Sequence, residues 1–214
     1  MALWRCARPG PGGWCYEWVM RLFVAVAVPA HAADELDGAV APLRQSWPAL
    51  RWTGRDAWHV TLAFLGEVNE TVSTRLEPRL ERAAARHPCL AVSLGGAGTF
   101  PGAGRARVLW TGVQGEPRGL AALAASVAAG ARRAGAPPAE ERRRFQPHLT
   151  LARCREPVDA RPLVDRLSGY AGTPWTAGEI YLIRSHLPGG RPHDRPRYET
   201  LGRWPLRVSA VPGP

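Results

Sequence analysis

The pentapeptides His59-Val60-Thr61-Leu62-Ala63 and His148-Leu149-Thr150-Leu151-Ala152 differ only by valine for leucine and lie 89 residues apart. Six histidines and ten threonines in 214 residues give about 0.3 His-x-Thr triplets by chance, so two inside near-identical pentapeptides are a strong excess. In a strand successive side chains point to opposite faces, so His59 and Thr61 share one face while Val60 and Leu62 take the other. His148 and Thr150 behave alike. Each strand can anchor its aliphatic face in a core and turn its polar face toward a cleft. If the two halves pack about a pseudo-two-fold axis, the histidines face each other across that cleft.

Two imidazoles on either side of a phosphate can divide acid and base duties, because an ordinary pKa of about 6.5 populates both protonation states near neutrality. A threonine hydroxyl beside each can donate to a phosphoryl oxygen and steady the charge that develops in the transition state. Such chemistry calls for no metal and no organic cofactor. A single histidine on a strand is more often a core or surface residue bonded to its neighbours; the duplication reverses that weighting.

The remaining patterns predict α+β architecture: two pseudo-symmetric lobes, each a largely antiparallel sheet with helices outside, and an active cleft between them. Strands are expected near 21–28, 58–65, 90–94, 107–113, 147–153, 178–184 and 197–201. Helices are expected over 32–46, 70–86, 117–134 and 159–168, the first from the spacing of Leu36, Val40 and Leu43. The segment GGAGTFPGAG, residues 95–104, is expected to be an irregular loop. Residues 1–19 mix Pro, Gly, Arg and Trp without periodicity, and Met20 opens the first apolar strand. The organisation expected is a poorly ordered extension or upstream start-codon product at 1–19, a bilobed domain at 20–207 and a tail at 208–214.

Charge points to the partner class. The 28 basic residues are all arginine and outnumber the 18 acidic ones, for a formal charge of +10 that attracts phosphate-rich molecules. Arginine's planar fork binds phosphate oxygens in pairs. Cys6, Cys15, Cys89 and Cys154 are scattered without metal-ligand spacing, which argues against a disulfide framework or zinc site and fits a reducing cytoplasm. No apolar run reaches the ~20 residues that span a bilayer. Leu22–Val28 followed by Ala30-His31-Ala32 imitates a short signal peptide, but acidic residues follow at once, so the segment reads as a buried strand.

Taken together, Met20-Arg21-Leu22-Phe23-Val24-Ala25, Trp58 to Val68 around the first motif, Phe145-Gln146-Pro147 and Arg153 around the second, and the closing Arg197-Tyr198-Glu199-Thr200-Leu201 resemble the bacterial and archaeal RNA 2′,3′-cyclic phosphodiesterases. These are two-histidine phosphoesterases, formerly described as 2′-5′ RNA ligases. The resemblance implies a monomer that hydrolyses a 2′,3′-cyclic phosphate at an RNA end, tRNA fragments included, to a 2′-phosphate. Weak 2′-5′ joining is expected from microscopic reversibility. It also implies that His59 is the proton donor, His148 the proton acceptor, and Thr61 and Thr150 the holders of phosphate oxygens. Arg153 matches the family's arginine, a candidate for phosphate binding, although strict alternation places it opposite His148; a structural salt bridge is the other reading. Phe145 could stack on a base or pack in the core. Arg142, Arg143 and Arg144 form a basic run that could meet the RNA backbone or be a solvated face. His193-Asp194 is assigned no role.

Overall fold

A computed structural model describes residues 4–6, 16–139, 144–186 and 196–208. In chain order the elements are β1 (Trp4–Cys6), β2 (Tyr16–Ala27), α1 (Ala30–Ser46), β3 (Arg51–Trp52), β4 (His59–Asn69), α2 (Glu70–Ala84) and β5 (Leu90–Phe100). β6 (Ala106–Gly115), α3 (Pro117–Ala134), β7 (His148–Val158), α4 (Arg161–Leu167), β8 (Trp175–Ala177), β9 (Glu179–His186) and β10 (Arg197–Pro205) follow. Local chemistry sets several boundaries. The Asn69 side chain accepts from the Val72 N–H and caps α2. α3 opens on Pro117, whose missing N–H costs nothing there, and stops at Gly135 with φ 96°, a left-handed conformation that glycine adopts most easily.

The strands form two antiparallel sheets, which bears out the α+β, two-lobed reading. In one, β2 is central, flanked by β4 on one side and by β9 and then β10 on the other, with β1 also paired to β2. The other runs β3-β7-β6-β5-β8. The lobes are not consecutive halves of the chain. β9 and β10 return from the C-terminal end to complete the sheet of β2 and β4, while β6 pairs with β5 on one side and β7 on the other. A ladder is completed by whichever strand offers matching N–H and C=O groups, so pairing rather than chain order decides lobe membership. Leu22, Val24, Leu36, Leu76, Leu80, Leu109, Leu123, Leu149 and Leu151 lie in one continuous core under both sheets.

Two expectations need correction. Residues 95–100 of the glycine-rich segment belong to β5, which extends to Phe100 with a shift in its pairing to β6 between Gly95 and Gly98. Glycine serves the sheet here because a neighbour occupies the side-chain space: a Cβ on Gly98 would overlap the Trp110 ring, and one on Gly95 would lie 2.5 Å from the Gln114 amide. Trp110 is the cross-strand partner of Gly98, and its ring lies across the bare backbone. The first long strand also begins at Tyr16, ahead of Met20, and Trp4–Cys6 pairs with Tyr16–Trp18. The rest of the extension at 1–19, Arg142 and Arg143, the His193-Asp194 loop and the end of the tail lie outside the described residues. Among the described residues no helix is long and apolar enough to cross a membrane.

Gly98→Ala should cost about 1–3 kcal/mol, because the Trp110 ring must move. Gly104→Ala, with nothing within 4 Å of its Cβ, should stay within about 0.5 kcal/mol of the parent. Denaturant unfolding of the two variants checks this; equal stabilities would refute the seating of Trp110 on Gly98.

Candidate active site

Both motif strands break the simple alternation at the same place. In β4, Ala25 pairs with Thr61 and Val24 with Ala63, so Leu62 is an extra residue with no partner on β2. In β7, Trp110 pairs with Thr150 and Leu109 with Ala152, so Leu151 is extra in the same way. Each is a β-bulge that shifts the side-chain phase by one. Leu62 and Ala63 are both buried, as are Leu151 and Ala152. Residues five places after each histidine therefore return to the polar face. Phe64 joins His59 and Thr61, and Arg153 joins His148 and Thr150, both exposed on the cleft side. Strict alternation would have placed Arg153 on the far face; the bulge at Leu151 overturns that.

The two imidazoles are held alike. His59 Nδ1 lies 2.8 Å from the Ala57 carbonyl oxygen and His148 Nδ1 2.7 Å from that of Gln146, each two residues back. A carbonyl only accepts, so both Nδ1 atoms carry their hydrogen, and proton exchange falls to Nε2 in each ring. Aromatic rings support both. His59 sits 4.7 Å from Phe23 and edge-on to Tyr198 at 5.3 Å, ring centre to ring centre. His148 sits edge-on to Phe100 at 5.1 Å and 6.0 Å from Trp110.

β4 and β7 approach each other closely, and side chains of both line an open cavity of about 970 Å³. Its walls include Thr61, Phe64, His148, Thr150 and Arg153, together with Phe100, Arg107, Arg132, Arg144 and Phe145. His59 is not among the residues that line this space; it lies half-buried between Phe23 and Tyr198, within reach of the charges of His148 and Arg153. Arg153 makes no ion pair among the described residues. Phe145 both lines the cavity and packs against the core, so the two readings of it are compatible. One wall is the alanine face of α3, formed by Ala121, Ala124, Ala125 and Ala128.

The profile of the 2′-5′ RNA ligase superfamily matches residues 28–188. The chain belongs to the 2′-5′ RNA ligase superfamily. Superfamily relatives named RNA 2′,3′-cyclic phosphodiesterase include one from Escherichia coli, 33% identical over 87% of this chain and 96% of its own length. Another, from Geobacillus stearothermophilus, is 29% identical over 86% of this chain, which spans only 56% of that relative. Among solved structures, Escherichia coli LigT in apo form superposes with a TM-score of 0.67 at 30% identity, covering 88% of this chain and 98% of that one. LigT complexed with 3′-AMP gives 0.65 at 31% identity with the same coverage. A Thermus thermophilus protein gives 0.69 at 30% identity, over 88% and 99% of the two chains.

Within this site, sequence reasoning missed Phe23, Phe100, Trp110 and Tyr198 as neighbours of the histidines and Phe64 as a lining residue of the cavity. Only Phe64 carried a usable signal, since it stands where Arg153 stands in the second motif. The ring of His59 is pushed down to a pKa of about 4, chiefly by burial, with His148 and Arg153 adding to the effect and the Ala57 carbonyl opposing it. Its ordinary value is 6.5, so between pH 6.5 and 4 the unfolded chain binds a proton that the folded chain refuses. This contribution to stability is therefore complete above pH 6.5 and lost as pH falls toward 4, by at most about 3 kcal/mol. Denaturation of the parent and of His59→Gln at pH 7 and pH 4.5 should show a smaller pH dependence in the variant. A His59 ring proton that titrates near 6.5 by NMR would refute the burial effect.

Proposed function

We infer that the chain hydrolyses 2′,3′-cyclic phosphate ends of RNA to 2′-phosphomonoesters, using His59 and His148 as the two proton-transfer groups. The observation that supports the reading is the matched pair of bulges, with a histidine, a threonine and a fifth-position side chain on one face of each strand and with Thr61, Phe64, His148, Thr150 and Arg153 lining one cavity. The relatives' names, RNA 2′,3′-cyclic phosphodiesterase, support the hydrolysis of the cyclic diester.

The chemistry follows from the tethered rings. His148 Nε2 takes a proton from water as the water oxygen bonds to phosphorus. The bond from phosphorus to the 3′-oxygen breaks, and His59 Nε2 delivers a proton to that oxygen, leaving the phosphate on the 2′-oxygen. Thr61 and Thr150 donate their hydroxyls to the non-bridging oxygens, and the Arg153 guanidinium faces the negative charge. A donor must be protonated, whereas burial and neighbouring positive charge keep His59 neutral in the free protein. The incoming phosphate anion offsets the positive charge of Arg153, so substrate itself favours the protonated ring.

Purified protein incubated with an RNA carrying a cyclic phosphate, in the presence of EDTA, should yield 2′-phosphate ends by mass spectrometry. His59→Ala and His148→Ala should each lower the rate roughly 10²–10⁴-fold. Arg153→Ala should chiefly raise KM. Unchanged substrate would favour an RNA-binding protein without catalysis, and a 3′-phosphate product would contradict the leaving group assigned to His59.

A further inference from the structure

A second basic site lies on the opposite side of α3 from the cleft. Where α2 crosses α3, Arg79, Arg82, Arg86 and Arg133 surround a recess of about 130 Å³, floored by Ser126 and Gly130. None of the four arginines makes an ion pair or side-chain hydrogen bond among the described residues. Their charges are also segregated along α2. At about 100° per residue, Arg75, Arg79 and Arg82 fall on one side of the helix, and Glu70, Glu77 and Glu81 on the other. The Ser126 hydroxyl is 2.7 Å from His87 Nε2. That imidazole is held below its ordinary pKa by burial and by the nearby charges of Arg207 and Arg86, as a locally positive potential requires. The helices pack closely here: a Cβ on Gly130 would already be in van der Waals contact, 3.4 Å, with Arg79.

We propose that this arginine recess binds backbone phosphates of the substrate RNA upstream of the end that enters the cleft. The placement of α3 favours RNA over an acidic protein. Ala121, Ala125, Ala128 and Arg132 line the catalytic cavity, while Arg133 and Ser126 line the recess, so one helix carries positive charge from one site to the other. Passing round half of a helix about 10–12 Å across takes a path of roughly 16–19 Å, which about five or six stacked nucleotides span at 3.4 Å each. A cyclic mononucleotide reaches only the cleft, whereas an oligonucleotide reaches both.

The proposal takes its substrate from the function inferred above, and a double charge reversal, Arg82→Glu with Arg133→Glu, tests it separately. With a 20-nucleotide RNA bearing a 2′,3′-cyclic phosphate, KM should rise about tenfold or more. The slope of log KM against log salt should shrink by about 0.7 for each phosphate the variant no longer neutralises. Hydrolysis of a 2′,3′-cyclic mononucleotide should be unchanged, which also shows that the variant is folded. Arg82→Gln with Arg133→Gln, which keeps much of each stem, should give the same pattern more weakly. Equal effects on both substrates, or none on either, would overturn the proposal. If the parent hydrolyses neither, fluorescence anisotropy with a labelled 20-nucleotide RNA decides this site alone: weaker binding by the variants upholds it, and unchanged binding removes it.

Discussion

One surplus residue in each of two antiparallel ladders, Leu62 against β2 and Leu151 against β6, governs the arrangement of the site. Without the bulge, a strand presents alternate residues, and the fifth position after each histidine points into the core. With it, two consecutive residues stay buried and the polar face resumes one step later. The leucines enforce this because exposing either would forfeit roughly 1.5–3 kcal/mol of apolar burial. A hydrophobic constraint thus determines where a guanidinium stands.

The same strands govern proton chemistry through their preceding turns. Both histidines bond a carbonyl two residues earlier, which assigns the tautomer before any substrate arrives. Yet the two rings sit in unequal surroundings. His59 lies between Phe23 and Tyr198, with burial as the largest influence on its protonation, whereas His148 borders the cavity beside Phe100 and Trp110. Near-identical pentapeptides can therefore take different roles, and the asymmetry comes from elements remote in sequence.

Glycine and arginine, two residue types abundant in this chain, have specific places in the structure. Gly98 leaves space that the Trp110 ring fills, so the glycine-rich strand indirectly supports His148. Arginines concentrate at the cleft and at the crossing of α2 and α3, where no carboxylate stands among the described lining residues. A basic surface of this kind attracts polyanions from a distance and then engages them with directed hydrogen bonds.

The sequence alone determined the helices over 32–46, 70–86 and 117–134, the two motif strands and the four polar motif residues, because these depend on local periodicity and short-range turn chemistry. The duplicated pentapeptide already implied two lobes and a shared cleft. Only tertiary structure decided that β9 and β10 complete the first sheet, that residues 95–100 extend a strand, and that Arg153 faces the same way as His148. Each of these rests on pairing between segments far apart in the chain: a partner strand sets register and bulge, a Trp110 ring makes glycine fit a sheet, and Tyr198 reaches His59 from the last strand. Local spacing carries no record of such pairings, since the energy that selects them arises only when both partners are in place.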